Sequence, residues 1–153
     1  MTGTWHGWFM VPSKLEDRYH FYDDGSYIYE YSDNDKEKRV LSETGTWDVE
    51  GGILTLIIKS KVTIEGGEKS TEPLLPGDTN AYAIVNGTIK IVELDAPETK
   101  EFKLGEAFID AEGSPGYWAM SFDNATYWRL SSDPDAYQND FVADGDIYNP
   151  WHL

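Results

Sequence analysis

The sequence predicts a single antiparallel all-β domain, and three observations support this class. Apolar and polar residues alternate with a period of two in many short stretches. No stretch of a dozen residues has the 3.6-residue apolar period of an amphipathic helix. Aromatic residues are frequent, with six Trp, ten Tyr and six Phe among 153 residues, and such side chains suit a pleated, half-buried surface. We therefore predict an up-and-down β-barrel, closed or nearly closed, of about 8–10 strands.

The strands are predicted wherever the alternation appears, with turn residues between neighbours. An early hairpin is expected around the turn at 23–25, in which a glycine can take the positive φ that a bulged hairpin needs. In its second arm Tyr27, Tyr29 and Tyr31 share one face. The predicted strands cover residues 3–11, 18–22, 26–32, 39–49, 53–64, 80–85, 88–94, 100–104, 116–122 and 126–130.

The clearest alternation lies in residues 53–64, which predict a strand with one dry and one wet face. Its apolar residues on the dry face are Leu54, Leu56, Ile58, Val62 and Ile64. Asn86-Gly87 is a strong hairpin signal between two further strands. Residues 65–79 are rich in Gly, Pro and Glu and predict a loop over the barrel mouth or edge.

The C-terminal 23 residues differ from the rest of the chain. Ser131 to Leu153 hold five Asp and no Lys, Arg or Glu. Spaced apolar anchors such as Phe141 and Trp151 argue against a purely disordered tail. We predict a barrel domain over 1–130 and an acidic, aromatic extension over 131–153 that packs on it as an irregular strap.

The charge balance restricts the partners. With 28 acidic and 12 basic residues the net charge is −16, which disfavours phosphate backbones and anionic membrane surfaces. A basic protein or a cationic ligand would be attracted by this field. We expect binding to neither nucleic acid nor membranes.

Several absences in the sequence bear on its location. There is no cysteine, which excludes disulfides and fits a reducing compartment. The N-terminus has no signal-peptide pattern, and the longest apolar run is the six residues from Ile53 to Ile58. We expect a cytoplasmic protein.

No catalytic signature stands out. The chain lacks a thiol, a Gly-x-Ser-x-Gly elbow, a phosphate-binding glycine loop and a His-Glu-x-x-His helix. His6 and His20, with a carboxylate such as Glu30, offer only weak metal-ligand spacing. We expect no enzymatic activity, no cofactor and no metal. An acid–base site of Tyr, His20 or carboxylates inside the barrel is the remaining catalytic alternative.

Gly3-Thr4-Trp5 opens the first strand, and Arg129 lies in the last regular strand. In these motifs the sequence resembles the lipocalin-like (calycin) families, over about residues 3–130. The resemblance implies that Trp5 and Arg129 pack together and close the barrel floor through a cation–π contact. Segments also similar to small bacterial lipocalin-like domains are Phe21 to Tyr27, Gly45 to Trp47 and Gly52 to Leu56.

The resemblance implies a non-catalytic binding module with a cavity for a small apolar or aromatic ligand. The expected ligand-binding residues are Tyr29, Trp47, Leu56, Ile58 and Trp118. The alternative is an acidic protein–protein interaction module, such as an immunity protein or an inhibitor of a basic partner. Its expected partner-binding residues are Asp133, Asp135, Tyr137, Asp140, Asp144 and Asp146.

Overall fold

A computed structural model describes residues 1–7, 17–31, 39–71, 83–110 and 117–136. In these ranges the chain forms nine strands, and no helix long and apolar enough to cross a membrane is found among them. The strands are β1 (Gly3–His6), β2 (Arg18–Phe21), β3 (Ser26–Glu30), β4 (Val40–Glu50), β5 (Ile53–Lys69), β6 (Ile84–Lys103), β7 (Phe108–Asp110), β8 (Tyr117–Phe122) and β9 (Ala125–Ser131). The predicted all-β class is confirmed.

The nine strands form one antiparallel sheet in the order β6-β5-β4-β3-β2-β1-β9-β8-β7. Strands that follow one another in the chain are paired, except β6 and β7, which are the two edges, and β1 pairs with β9. Closure into a barrel is therefore not confirmed, since the sheet described here is open between β6 and β7. The two sides meet at one corner, where Leu104 forms an isolated bridge with Phe122 and the Gly105 N–H donates to the Ser121 carbonyl over 2.9 Å.

The hairpin between β2 and β3 forms as its turn residues predict. Gly25 has a φ of 81°, a left-handed conformation that glycine adopts without a steric penalty. The Asp24 carboxylate accepts hydrogen bonds from the Ser26 N–H and hydroxyl, at 2.8 and 2.5 Å. These local bonds set the register in which Tyr19 opposes Tyr29.

An aromatic core fills the space inside the curled sheet. Tyr19 of β2 lies near its centre, with its ring centroid 4.5 Å from that of Tyr29 and 5.6 Å from that of Phe122. It also contacts Phe102 of β6 and Tyr127 of β9. These two strands lie far from each other in the strand order. A flat sheet would not bring these side chains together, so the sheet wraps around them. The buried residues of this core are Trp5, Tyr19, Phe21, Tyr27, Tyr29, Leu54, Leu56, Ile58 and Phe122.

The predicted dry face of β5 is correct only for its first half. Its first three apolar residues are buried, but the register shifts after Ile58. Beyond that bulge Lys61, and not Val62, opposes the buried Glu43. Val62 and Ile64 therefore face away from the core. A bulge reverses the alternation because it adds one residue to one of two paired strands.

The predicted hairpin turn at Asn86-Gly87 is wrong, because β6 runs through it without interruption. Asn86 has a φ of 59°, and Gly87 pairs with Gly66 of β5. A left-handed residue within a strand produces a bulge as readily as a turn, and Asn tolerates that conformation. As a result β5 continues to Lys69, into the segment predicted as a loop, and the predicted strand at 100–104 belongs to β6.

Gly45 of β4 is required by the close approach of β5. A Cβ at this position would overlap the Ile57 carbonyl oxygen. Backbone cannot move aside as a flexible side chain can, so we expect Gly45→Ala to lower the free energy of unfolding by about 3 kcal/mol. Urea unfolding followed by Trp fluorescence would measure this loss.

Gly51→Ala is the matched control. A Cβ there would meet nothing within 4 Å, although its φ of +58° is left-handed. We expect a smaller loss of about 1 kcal/mol from that φ alone. A Gly45→Ala protein that unfolds at the same urea concentration as Gly51→Ala would contradict the steric argument.

Candidate ligand site on the inner face of the sheet

Four of the five predicted ligand-binding residues lie on the inner face of the sheet. Tyr29, Leu56 and Ile58 are buried in the aromatic core, and Trp47 packs against it. Trp118 is not brought into this group: it lies in β8, 37% exposed, outside both clusters of buried residues in the described chain. Most of the predicted lining thus belongs to the packed core or lies against it.

Trp5 and Arg129 oppose each other across β1 and β9. The Trp5 Nε1–H donates to the Met1 carbonyl over 2.7 Å, and the Arg129 Nε–H donates to the Thr2 carbonyl over 2.9 Å. Gly3 leaves room for this arrangement, because a Cβ there would lie 3.0 Å from the Arg129 Nε. The two residues together hold the N-terminal backbone against the sheet.

We expect Arg129→Met to lower the free energy of unfolding by about 1.5 kcal/mol, because it removes a charge-assisted hydrogen bond to a partly buried carbonyl. Arg39→Met is the control, since Arg39 also donates to carbonyls, at 2.7 Å to Gly66, but on an exposed part of the sheet. Its loss should stay below about 0.5 kcal/mol. Equal midpoints of thermal unfolding for the two variants would count against a special role for Arg129.

A buried carboxylate is the main polar feature of the inner face. Glu43 lies on β4 opposite Tyr29, and its side chain is only 2% exposed. Its Oε1 accepts a hydrogen bond from the Tyr31 hydroxyl at 3.0 Å. The Lys100 ammonium, 3.2 Å from both carboxylate oxygens, reaches it from β6 with a side chain that is 40% exposed. The carboxylate is thus enclosed, and its counter-ion lies at the rim.

The Tyr27 hydroxyl has an unfilled hydrogen-bonding position on the same face as this carboxylate, since Tyr27 pairs with Gly45, two residues along β4 from Glu43. The residue is 1% exposed, and the hydroxyl has no hydrogen-bond partner among the described residues. Burial raises the pKa of Tyr27, and the charge of Glu43 raises it further. Buried hydroxyls in proteins are nearly always paired, so an unpaired one marks a place for a polar atom from outside the chain. We call Tyr27, Tyr31, Glu43 and Lys100 the Glu43 cluster.

Tyr29 connects the Glu43 cluster to a second carboxylate. Its hydroxyl donates to Asp17 over 2.5 Å, and its ring meets that of Tyr31 edge-on with centroids 4.8 Å apart. Burial raises the pKa of Tyr29, with a further contribution from the hydrogen bond to Asp17, and burial followed by Glu43 raises that of Tyr31. At neutral pH these tyrosines are uncharged, with hydroxyls that donate to carboxylates.

An ion pair flanks the Glu43 cluster. Lys61, which opposes Glu43 across β4 and β5, lies 3.1 Å from Glu98 of β6. Both side chains are more open to solvent than that of Glu43, at 22% and 52% exposed. With Asp17, Glu43 and Lys100, the described residues place three carboxylates and two ammonium groups in this part of the inner face.

No family model, curated protein or solved structure matches this chain. The site is therefore assigned from its own geometry.

The start of the C-terminal extension lies on the outer face of β1 and β2. The Thr4 hydroxyl donates to the Asp133 carbonyl at 2.9 Å, and His20 Nδ1 lies 2.8 Å from the Pro134 carbonyl oxygen. The other His20 nitrogen, Nε2, is 3.0 Å from Glu30. Residues 131–136 are thus attached opposite the aromatic core.

Two of the predicted partner-binding residues use their carboxylates within the chain. Asp133 accepts a hydrogen bond from the Asp135 N–H at 2.9 Å, and Asp135 accepts one from the Tyr22 hydroxyl at 2.7 Å. The remaining ones lie outside the described residues; they are Tyr137, Asp140, Asp144 and Asp146.

The sequence reasoning missed the Glu43 cluster, although one signal was present. Glu43 stands at a core-facing position of the alternation that contains Trp47. A charged residue on the apolar face of a strand is unusual, because such residues are rarely buried unless paired. Its partner Lys100 is 57 positions away, and only the register of three strands shows that the two meet.

Proposed function

We propose that this chain is a non-catalytic, lipocalin-like binding module for a small ligand with an apolar or aromatic body. The ligand binds at the Glu43 cluster. The observation that carries the proposal is the unpaired Tyr27 hydroxyl on the same face as a carboxylate that is only 2% exposed. Ligand sites combine apolar side chains with convergent polar groups, and here the buried aromatic core adjoins the Glu43 cluster.

The floor of the proposed site is apolar and rigid. Tyr27, Tyr29 and Ile58 belong to the same buried core, so their positions are fixed by packing. A ligand with an aromatic or aliphatic body gains roughly 25 cal/mol for each Å² of its own apolar surface that binding removes from water. The rim is formed by Lys100, whose long and half-exposed side chain is the group able to move aside.

We also propose that the sheet closes into a barrel, with its edge strands β6 and β7 next to each other. The isolated bridge between Leu104 and Phe122 supports this, as does the hydrogen bond from the Asp123 N–H to the Lys103 carbonyl at 2.8 Å. Gly3-Thr4-Trp5 and Arg129 support the lipocalin-like assignment through their shared hold on the N-terminal backbone. The lack of cysteine is in keeping with a cytoplasmic location.

Calorimetry with small aromatic alcohols, 4-methylphenol and 2-phenylethanol, tests the proposed function. Tyr27→Phe removes the unpaired hydroxyl and keeps the ring, and we expect it to weaken binding of both probes about tenfold. Tyr22→Phe is the matched control, because the Tyr22 hydroxyl bonds to Asp135 on the outer face and not to the site.

Binding in the millimolar range or tighter that depends on Tyr27 and not on Tyr22 supports the site. If neither probe binds, or if both tyrosine variants bind like the wild type, the proposed site is wrong.

A further inference from the structure

We infer that the ligand of the Glu43 cluster carries a positively charged amine, which replaces the Lys100 ammonium against the Glu43 carboxylate. This inference rests on the proposed function and adds the chemical class of the head group.

The site is already built around an ammonium ion. Glu43 is enclosed, and a carboxylate taken out of water is stable only with a counter-charge and hydrogen bonds. That charge is supplied by Lys100, placed 3.2 Å from both oxygens. Because the Lys100 side chain is 40% exposed, it can return to solvent when another cation takes its position.

Tyrosines of the aromatic core lie on the same face as the carboxylate. Tyr29 pairs with Glu43 across β3 and β4, Tyr27 is the next residue of β3 on that face, and Tyr31, just after β3, packs against the same core. The π-face of a tyrosine attracts cations, and a group of such rings with a carboxylate is the usual setting for alkylammonium recognition. The Tyr31 hydroxyl donates to Glu43 Oε1 at 3.0 Å, so the carboxylate keeps a hydrogen bond while its cation is exchanged.

The charge around the site favours cations over anions. Among the described residues, Asp17, Glu43 and Glu98 contribute three negative charges, against Lys61 and Lys100. The net charge of −16 over the whole chain adds a long-range field of the same sign. Such a field raises the local concentration and the association rate of a small cation, and it repels a carboxylate or phosphate head group.

Lys100 competes with any such ligand. A group on the same chain has a high effective concentration at its own partner, so the amine must bind against that advantage. Removing the Lys100 ammonium should therefore tighten amine binding, whereas removing the Glu43 charge should abolish the preference for amines.

The experiment uses two probes with the same body, 2-phenylethylamine and 2-phenylethanol, measured by calorimetry at pH 7 and low salt. We expect the full-length protein to bind the amine at least about tenfold more tightly than the alcohol. In the Lys100→Met protein we expect the affinity for the amine to increase about tenfold, while the affinity for the alcohol changes little. Adding the amine should also raise the melting temperature of this variant. Glu43→Gln should bring the two probes within about twofold of each other.

Glu98→Gln is the matched control, because Glu98 is a more exposed carboxylate of the same region. It should retain most of the amine preference. If the alcohol binds as tightly as the amine in the wild-type protein, the inference fails and the proposed function stands. If neither probe binds the wild-type protein or Lys100→Met, both fail. The comparison of the two affinities in the wild-type protein tests the inference even if a variant fails to fold.

Discussion

Between pH 6.5 and about 3, the free energy of unfolding is expected to fall by about 1.4 kcal/mol for each pH unit because of His6. His6 lies on β1 and is fully buried. Burial lowers its pKa to about 3, and electrostatic interactions with Arg18 and His20 act in the same direction, against the opposing effect of Glu30. The folded protein therefore keeps this imidazole neutral through a range in which a free one is protonated.

The sign follows from the proton count of the two states. Below pH 6.5 the unfolded chain takes up a proton at His6, whereas the folded chain takes none until about pH 3. The unfolded state binds more protons in this window, so stability rises with pH across it and is lost as the pH falls. Below about pH 3 both states are protonated and this residue adds no further loss, after a total of roughly 5 kcal/mol.

Urea unfolding at several pH values between 4.5 and 7.5 would measure the effect, with His6→Asn as the comparison. Both proteins contain the same carboxylates and the same other two histidines. The contributions of these groups to the pH dependence of stability therefore cancel when the two proteins are compared. The slope of the free energy of unfolding against pH measures how many more protons the unfolded state binds than the folded state. We expect this number to be larger by about one proton in the wild type than in His6→Asn. Two parallel curves would show that His6 is not held neutral by the fold.

The aromatic core could be predicted because it depends on local alternation. Tyr27 and Tyr29 were placed on one face from their spacing alone, and the hairpin before them has the turn chemistry that fixes the register. Both signals lie within a few residues of the structure they specify. Period-two patterning therefore gave the all-β class and most strands correctly.

The errors lie where strand pairing depends on distant residues. The alternation of β5 reverses after Ile58, where four residues of β6, 94–97, lie between the partners of Ile58 and Ser60. Nothing within β5 alone indicates this bulge. The Asn86-Gly87 pair permits both a turn and a bulge, and the partner strand decides between them.

The candidate site is only partly predictable from the sequence for the same reason. The expected ligand-binding residues Leu56 and Ile58 lie in the aromatic core of the curled sheet, and their contact with a ligand stays a prediction. The unsatisfied hydroxyl and the enclosed carboxylate become visible only when β3, β4 and β6 are aligned. A bulge in β5 places Lys61 beside Glu43, where unbroken alternation would have placed an apolar side chain.

Removing Lys100 while Glu43 remains is expected to destabilise the protein more than removing both charges. In Lys100→Met the enclosed carboxylate loses its counter-ion, and we expect a loss of about 3 kcal/mol in the free energy of unfolding. Glu43→Gln keeps an acceptor for the Tyr31 hydroxyl and returns Lys100 to solvent, so its loss should be about 1 kcal/mol. The double variant should resemble Glu43→Gln. The coupling energy of the pair would then be about 3 kcal/mol, measured by urea unfolding of all four proteins.

The ion pair between Lys61 of β5 and Glu98 of β6 provides a matched control in the same part of the sheet. Its distance of 3.1 Å is similar, but both of its side chains are more exposed than that of Glu43. Water screens such pairs, so the same cycle with Lys61→Met and Glu98→Gln should give a coupling below about 1 kcal/mol. Equal coupling in the two pairs would mean that Glu43 is solvated in the folded protein. A solvated carboxylate would gain little from an incoming amine, so this comparison tests the enclosure on which ligand selectivity depends.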